Sequence, residues 1–350
     1  MVKRVPSGYR ELIMILAIVA VLAFACPAAG AYGPVTFYLT GAIGPDSALQ
    51  MELTIDQGKV NGIYWYDRIG VPSKLEGQFS GGNLNMAERA PDGKVTGKWT
   101  IPEFNPLTSV WKGTWTSGDG KRTLPVQLAR VAEMVTTREK NLGHINVVVR
   151  RPVFLDASGK PVLRTLQEVL DAAMWAAPRE EALRDADSTF FEPDMPSFEF
   201  EYHTDFSLCY FSGSLISGLN TVYWYTGGAH GMTEQMGSTF VMSGGKITLL
   251  TLDQVFRSGT GWEKKLSDLI VDDLKRQGAA DVVNGEIKAI PKEDMRIFTV
   301  SPAGISFYFN PYEVSCYADG CFRVSVPWSE LNGMVDTKGP AGSLFPRSGK

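Results

Sequence analysis

Apolar and polar residues alternate through much of the first third of the chain. In "LQMELTID" (49–56), Leu49, Met51, Leu53 and Ile55 interleave with Gln50, Glu52, Thr54 and Asp56. A period of two marks a strand with one buried face. "QGK" then turns the chain into "VNGIYWYDR". "KLEGQFS", "GGNLNMAER", "GKVTGKWTI", "SVWKGTWTS" and "RTLPVQLAR" follow at the spacing of a β-meander. Val60-Asn61-Gly62, Val95-Thr96-Gly97 and Trp111-Lys112-Gly113 share a loose order of bulky residue, polar residue and glycine, which reads as a degenerate hairpin repeat. Residues 33–130 therefore predict an all-β domain. A small closed or nearly closed antiparallel barrel is expected, because closure removes exposed strand edges. The more polar stretch 131–141 is expected to be a connection.

Beyond residue 140 the pattern changes to α+β. "HINVVVRRPVFL" (144–155) reads as a strand. In 162–178, Leu163, Leu166, Val169, Leu170, Ala173, Met174 and Ala177 fall on one helical face, and Pro178 stops the helix. "SFEFEYHTDF" (197–206) alternates Phe198, Phe200 and Tyr202 with Glu199, Glu201 and His203. "LCYFSGSL" and "TVYWYT" continue the strands, and Gly244-Gly245 turns a hairpin. Trp262, Leu266, Leu269, Ile270 and Leu274 mark a helix over 261–277. "GISFYFN" (304–310) and "CFRVSVPW" (321–328) are the last strands, and 336–350 reads as a frayed tail. The expected class is α+β: an N-terminal antiparallel β-meander or small barrel, followed by a mostly antiparallel sheet with helices on one face.

The N-terminus adds a compartment. Lys3, Arg4 and Arg10 precede the uncharged run Leu12 to Ala25, and small residues follow at Ala29-Gly30-Ala31. That is the layout of a signal peptide over 1–31, and so of an exported chain, periplasmic or extracellular. Retention as a membrane anchor is the rival, and Cys26 raises lipidation as another. Only residues 1–11 precede the apolar run, so no cytoplasmic domain is expected there. The net charge is −4, and −6 without Lys3, Arg4, Arg10 and Glu11 (31 basic, 37 acidic). Such a balance argues against nucleic acid, which calls for a cationic footprint. Export permits disulfides. Cys316 and Cys321 flank the turn-like "YADG" and are expected to pair; Cys209 is then left as a small buried hydrophobe. No cysteine spacing resembles a zinc site, and no motif calls for a cofactor.

Three segments in order, "YTGGAHG" (225–231), "GGKITLLTLDQVF" (244–256) with its following helix, and "GISFYFNPYEVSCYADGCFRVSVPWSEL" (304–331), resemble the extracellular module of the RsiV-type anti-sigma factors, also found in PdaC-type peptidoglycan deacetylases. The resemblance implies a first α+β subdomain at 140–225 and a second at 226–335. It also implies a non-enzymatic envelope binding protein whose partner is a lysozyme-like protein or cell-wall glycan. No anti-sigma segment or deacetylase domain is recognised; the β unit at 33–130 stands in their place.

His230 is the residue most open to chemistry, being one of three histidines with His144 and His203. An envelope-polysaccharide-acting enzyme would use it as a general base with a partner. A metal would need further ligands such as His203 and Asp205. Against catalysis, "GGAHG" holds no nucleophile on a strand-to-helix elbow; the metal depends on the sheet order bringing His203 and Asp205 near. The plainer reading is that Gly227, Gly228 and Gly231 adopt backbone forbidden to other residues while His230 bonds the backbone and holds the loop. No catalytic residue and no metal ligand is assigned. Tyr225, Gly227, Gly228, His230, Pro311, Tyr312 and Glu313 are the candidate binding residues, with Tyr312 as an anchor; a proline there also simply ends a strand. Tyr64-Trp65-Tyr66 and Tyr223-Trp224-Tyr225 suit either glycan stacking or strand packing. A structural periplasmic domain with no small-molecule site is the third class.

Overall fold

The computed structural model describes residues 34–141, 145–155, 159, 200–244 and 246–345. The targeting segment expected at the N-terminus, the helix expected at 162–178, His144 and the last residues of the tail lie outside them. No helix among the described residues is long and apolar enough to cross a membrane.

The period-two segments form eight antiparallel strands: β1 (Val35–Ile43), β2 (Ser47–Asp56), β3 (Lys59–Tyr66), β4 (Ser73–Ser80), β5 (Asn83–Arg89), β6 (Val95–Ile101), β7 (Val110–Ser117) and β8 (Thr123–Asn141). Each pairs with the next, and β1 pairs with β8, so the barrel is closed. Inward residues such as Leu49, Met51, Leu53, Trp99 and Trp111 fill it as one core. Gly62 and Gly113 lie inside strands rather than at turns. A Cβ at Gly62 would come within 2.3 Å of the Glu52 carbonyl oxygen, and one at Gly113 within 2.2 Å of that of Thr100. The recurring glycine thus marks where the sheet coils tightly enough to need a missing side chain. Phe104 plugs one end against Phe79 and Trp111. Beside it the buried Arg130 donates to Pro106 and to Glu133, both through Nη1.

The stretch 131–141 is not a linker. It is the second half of β8, and Ala132–Asn141 pairs with β9 (Ile145–Phe154). The β1 and β9 pairings overlap at residues 132–134. A strand has two edges, so β9 follows β7 along the one that β1 does not take. β9 then pairs in parallel with β10 (Phe200–Phe211), and the sheet continues antiparallel through β11 (Leu215–Tyr225), β12 (Met232–Ser243) and β13 (Lys246–Leu249). The barrel and the β9–β13 extension are therefore one hydrogen-bonded surface of thirteen strands. Residue 225, where the two subdomains were expected to meet, closes β11 at a hairpin within this sheet.

The parallel pairing of β10 with β9 stops at Asp205. Beyond it, barrel side chains take the backbone groups. Tyr38 Oη donates to the Phe206 carbonyl (3.0 Å) and accepts the Leu208 N–H (3.2 Å). Gln50 does the same for Phe211, with Oε1 accepting its N–H (3.2 Å) and Nε2 donating to its carbonyl (3.3 Å). Both residues point outward from the barrel yet are buried. Arg150 adds ion pairs to Asp205 on β10 (2.6 Å) and Glu52 on β2 (3.5 Å).

A second sheet, β14 (Phe298–Ser301), β15 (Gly304–Phe309) and β16 (Phe322–Pro327), packs across β10–β12. Gly237 permits the crossing, because a Cβ there would meet the Phe298 backbone at 2.8 Å. Helix α1 (Leu252–Val255) leads to α2 (Trp262–Gln277), which lies against β16, and then to α3 (Ala280–Val283). Left-handed glycines, Gly261 and Gly278, bound α2, and its stripe Trp262, Leu266, Ile270, Val271 and Leu274 is buried with Val300, Phe307 and Val324. The end of the chain is not frayed as far as it is described: Ala341, Leu344 and Phe345 are buried in that core, and Phe345 meets Trp328 edge-on.

Tyr38→Phe keeps the ring but strands two buried backbone groups on β10. It is expected to cost about 1–3 kcal/mol in a urea melt. An unchanged midpoint would mean the junction does not rest on this hydroxyl.

Candidate binding surface

The loop between β11 and β12 carries the first group of candidate residues. Gly227 and Gly228 have φ of 97° and 91°, which favours glycine. Tyr225 Oη donates to the Gly228 carbonyl (3.0 Å) and closes the loop on itself. Gly231 differs from the expectation: its backbone is not left-handed. It is glycine because a Cβ would stand 2.4 Å from Tyr223 Oη. Its buried carbonyl is a hub, accepting from His230 Nδ1 (2.9 Å) and from the Tyr317 hydroxyl.

The second group sits in the connection from β15 to β16. Pro311 is buried, Tyr312 is 59% exposed, and Glu313 is half-buried. Tyr312 holds φ at 72°, an uncommon conformation for a residue with a side chain. Three bonds keep it there. The Tyr312 N–H donates to Ser315 (3.0 Å), the Asn310 N–H to the Glu313 carboxylate (2.8 Å), and the Glu313 N–H to Asn310 (3.1 Å). Asn310 then ties the connection to the large sheet. Its Oδ1 accepts the Gln235 N–H (2.6 Å) and its Nδ2 donates to the Gln235 carbonyl (3.3 Å). Arg296 reaches Glu313 at 3.4 Å.

Tyr317 joins the two groups. The His230 ring stacks on it with centroids 3.9 Å apart and planes 16° apart, and Tyr312 lies 5.8 Å away on a tilt. Histidine and tyrosine thus form one aromatic surface carried by two loops and fastened by the Gly231 carbonyl. Pattern reading did not single out Tyr317, which sat inside "YADG" as a turn residue. The only available signal was its place between the two cysteines.

Those cysteines are unpaired thiols in the structure. The expected bridge required them on facing hairpin arms. Instead Phe309 pairs with Phe322, so both lie within the connection between the arms, where a 3-10 turn spans Tyr317–Asp319. Cys316 is exposed, with Sγ 3.6 Å from Asp319 Oδ2, and burial pushes the half-buried Cys321 thiol up. Cys209 lies on β10 beside Tyr308 Oη (4.0 Å), and burial raises its thiol also.

Of the ligands weighed for a metal, Asp205 is paired with Arg150 and His203 lies beside Tyr223 (6.0 Å between ring centroids). Among the described residues no three His, Cys, Asp or Glu side chains gather to hold an ion. Of the two aromatic triplets, Tyr64 is fully buried in the barrel, donating to Glu88 (2.8 Å); Tyr66, Tyr223, Trp224 and Tyr225 are half-buried.

Comparison with known proteins adds the following. A family model described as "Deacetylase PdaC" matches residues 139–233, and one described as "Protein of unknown function (DUF3298)" matches residues 253–329. The chain is 28% identical over 118 residues to the peptidoglycan-N-acetylmuramic acid deacetylase PdaC of Bacillus subtilis (strain 168). That match covers 33% of this chain and 25% of the relative, so the chain spans about a quarter of the relative's length. Two solved structures are similar. One is a DUF3298 family protein from Pseudomonas aeruginosa PAO1, at 16% identity and TM-score 0.46, covering 62% of this chain and 96% of that one. The other is a DUF3298 family member from Bacteroides fragilis NCTC 9343, at 15% identity and TM-score 0.39, covering 61% and 95%. The similarity to a PdaC-type module therefore rests on two successive stretches, one on each side of residues 234–252.

Gly231→Ala is expected to destabilise by about 1–3 kcal/mol through overpacking. The loss should shrink in a Tyr223→Ala background, as thermal melts of the four-variant cycle will report. Additive losses would exclude the Tyr223 clash as the reason for glycine.

Proposed function

We propose that this chain is an exported, non-enzymatic binding protein of the cell envelope, and that the surface formed by His230, Tyr312 and Tyr317 contacts its partner. The observation that carries this reading is the stacking of His230 on Tyr317, which unites the Thr226–Gly231 loop with the Pro311-Tyr312-Glu313 turn. The relative's name concerns peptidoglycan, which supports an envelope setting.

The chemistry favours a cationic protein, as the RsiV resemblance implies with lysozyme. Rigid tyrosines are the usual anchors of protein interfaces, since they bury much area for little lost rotamer freedom. Here the rings are held in place before any partner arrives, which lowers the ordering cost of binding. Asp319 stands in the same connection as Tyr312 and Tyr317, and the chain as a whole is acidic at −4. Both features steer a basic partner. His230 serves this reading as a stacking and loop-locking group; with Nδ1 on the Gly231 carbonyl and one face covered by Tyr317, its surroundings are those of a structural ring.

The test is a fluorescence titration of the purified protein with hen lysozyme at low salt, alongside the lysozyme's muramidase rate. Saturable binding that weakens with salt is expected. Tyr312→Gly keeps the left-handed backbone and deletes only the ring, and should cost about 2 kcal/mol, roughly thirtyfold in Kd. No binding together with an undiminished muramidase rate would remove lysozyme as the partner. Turnover of an envelope polymer that falls with His230→Ala would replace this reading with an enzyme.

A further inference from the structure

A cleft of about 1200 Å³ lies between one end of the barrel and the C-terminal segment. Asp46 lines it from the β1–β2 connection, Tyr66 from the end of β3, and Asp67 and Arg68 from the β3–β4 connection; Trp328, Asp336 and Lys338 line it from the C-terminal segment, with the buried Tyr210. It is separate from the aromatic surface, none of whose residues line it.

Its walls are fixed by contacts already formed. On one side Gln50 links Phe211 to Asp67, donating to the Asp67 carboxylate (3.0 Å). On another, Gly70 of the barrel abuts the β14–β15 turn, where an added Cβ would stand 3.0 Å from the Ala303 Cβ. A preformed cleft at the meeting of two structural units is a common setting for a ligand.

The lining selects the class of ligand. Three cations (Arg68, Arg257, Lys338) stand against three carboxylates (Asp46, Asp67, Asp336), so a polyanion or a strongly cationic peptide meets as much repulsion as attraction. Burial pushes the Asp67 carboxyl up, while the Gln50 amide bond holds it down. Ser47, Ser329, Asn332, Thr337 and Ser343 add short hydroxyl and amide groups that both donate and accept. The half-exposed Tyr66 ring is held edge-on against Tyr64 (5.5 Å) and offers a fixed apolar face. Uncharged sugar rings match this set, with C–H faces for the tyrosine and hydroxyl edges for the polar groups. The volume exceeds the usual range for one small molecule, which points to several units.

We propose that this cleft binds a neutral oligosaccharide of a few sugar units. Isothermal titration of the purified protein with the tetrasaccharides of N-acetylglucosamine, cellulose and maltose, with tetralysine and polyphosphate as charged probes, tests it. At least one tetrasaccharide should bind and neither charged probe should compete. Ser47→Trp, which fills the cleft from one wall, and Lys338→Trp, which fills it from the other, should each weaken binding about tenfold or more. Either suffices if the other fails to fold by circular dichroism. Tyr312→Gly, in the other surface, should leave sugar binding unchanged, so failure here is distinguishable from failure of the lysozyme titration. No binding of any tetrasaccharide, binding that survives the folded cleft-filling variants, or displacement by a charged probe would overturn the assignment.

Discussion

Strand β8 serves two units at once, and the rest of the molecule depends on how its neighbours resolve that. Along its first half it closes the barrel between β7 and β1; along its second it starts a new sheet through β9. A sheet that leaves a closed barrel must separate from it somewhere. Where β10 runs past its pairing with β9, its carbonyl and N–H groups face the barrel wall. Left buried and unmet, each would cost on the order of 1–3 kcal/mol. Tyr38 and Gln50 meet them, each acting as donor and acceptor to β10, and the junction becomes a defined surface instead of a loose hinge.

The same device recurs deeper in the chain. Asn310 pairs its amide with both backbone groups of Gln235, and the buried Ser217 hydroxyl accepts the Val300 N–H (2.9 Å) while bonding Thr239 (2.8 Å). Both fasten the small sheet to the large one where the two cross and their backbones cannot pair directly. The candidate surface and the cleft inherit their shape from this. The Asn310 link sets the position of the β15–β16 connection, and so of Tyr312 and Tyr317, relative to the loop that carries His230. The Gln50 link sets the barrel against β10 and so shapes the cleft beside Asp67 and Tyr210.

Much of the fold was legible along the chain because strand alternation and helix caps are local. The barrel strands follow period-two segments closely, and α2 follows the helical spacing of Trp262, Leu266, Ile270 and Leu274. What misled the reading was equally physical. The 131–141 stretch is polar because the second half of β8 is partly exposed, and polarity alone does not separate an exposed strand from a linker. The Cys316–Cys321 spacing suggests a hairpin, but the hairpin arms end at Phe309 and Phe322, so the thiols fall in the connection between them. Gly231 looked like a turn glycine of the same kind as Gly227 and Gly228, yet it owes its identity to the Tyr223 ring.

By itself the sequence determined most of the strands, the helix α2 and the acidic balance, and it named two loops as candidates, since each of these depends on residues a few positions apart. Only the tertiary structure decided that those loops form one surface. Tyr317 and the Gly231 carbonyl it bonds are 86 residues apart in the chain. No periodicity carries across that distance; the contact exists because side-chain amides and hydroxyls complete the backbone ladders where the sheets cross, and so fix which loops become neighbours.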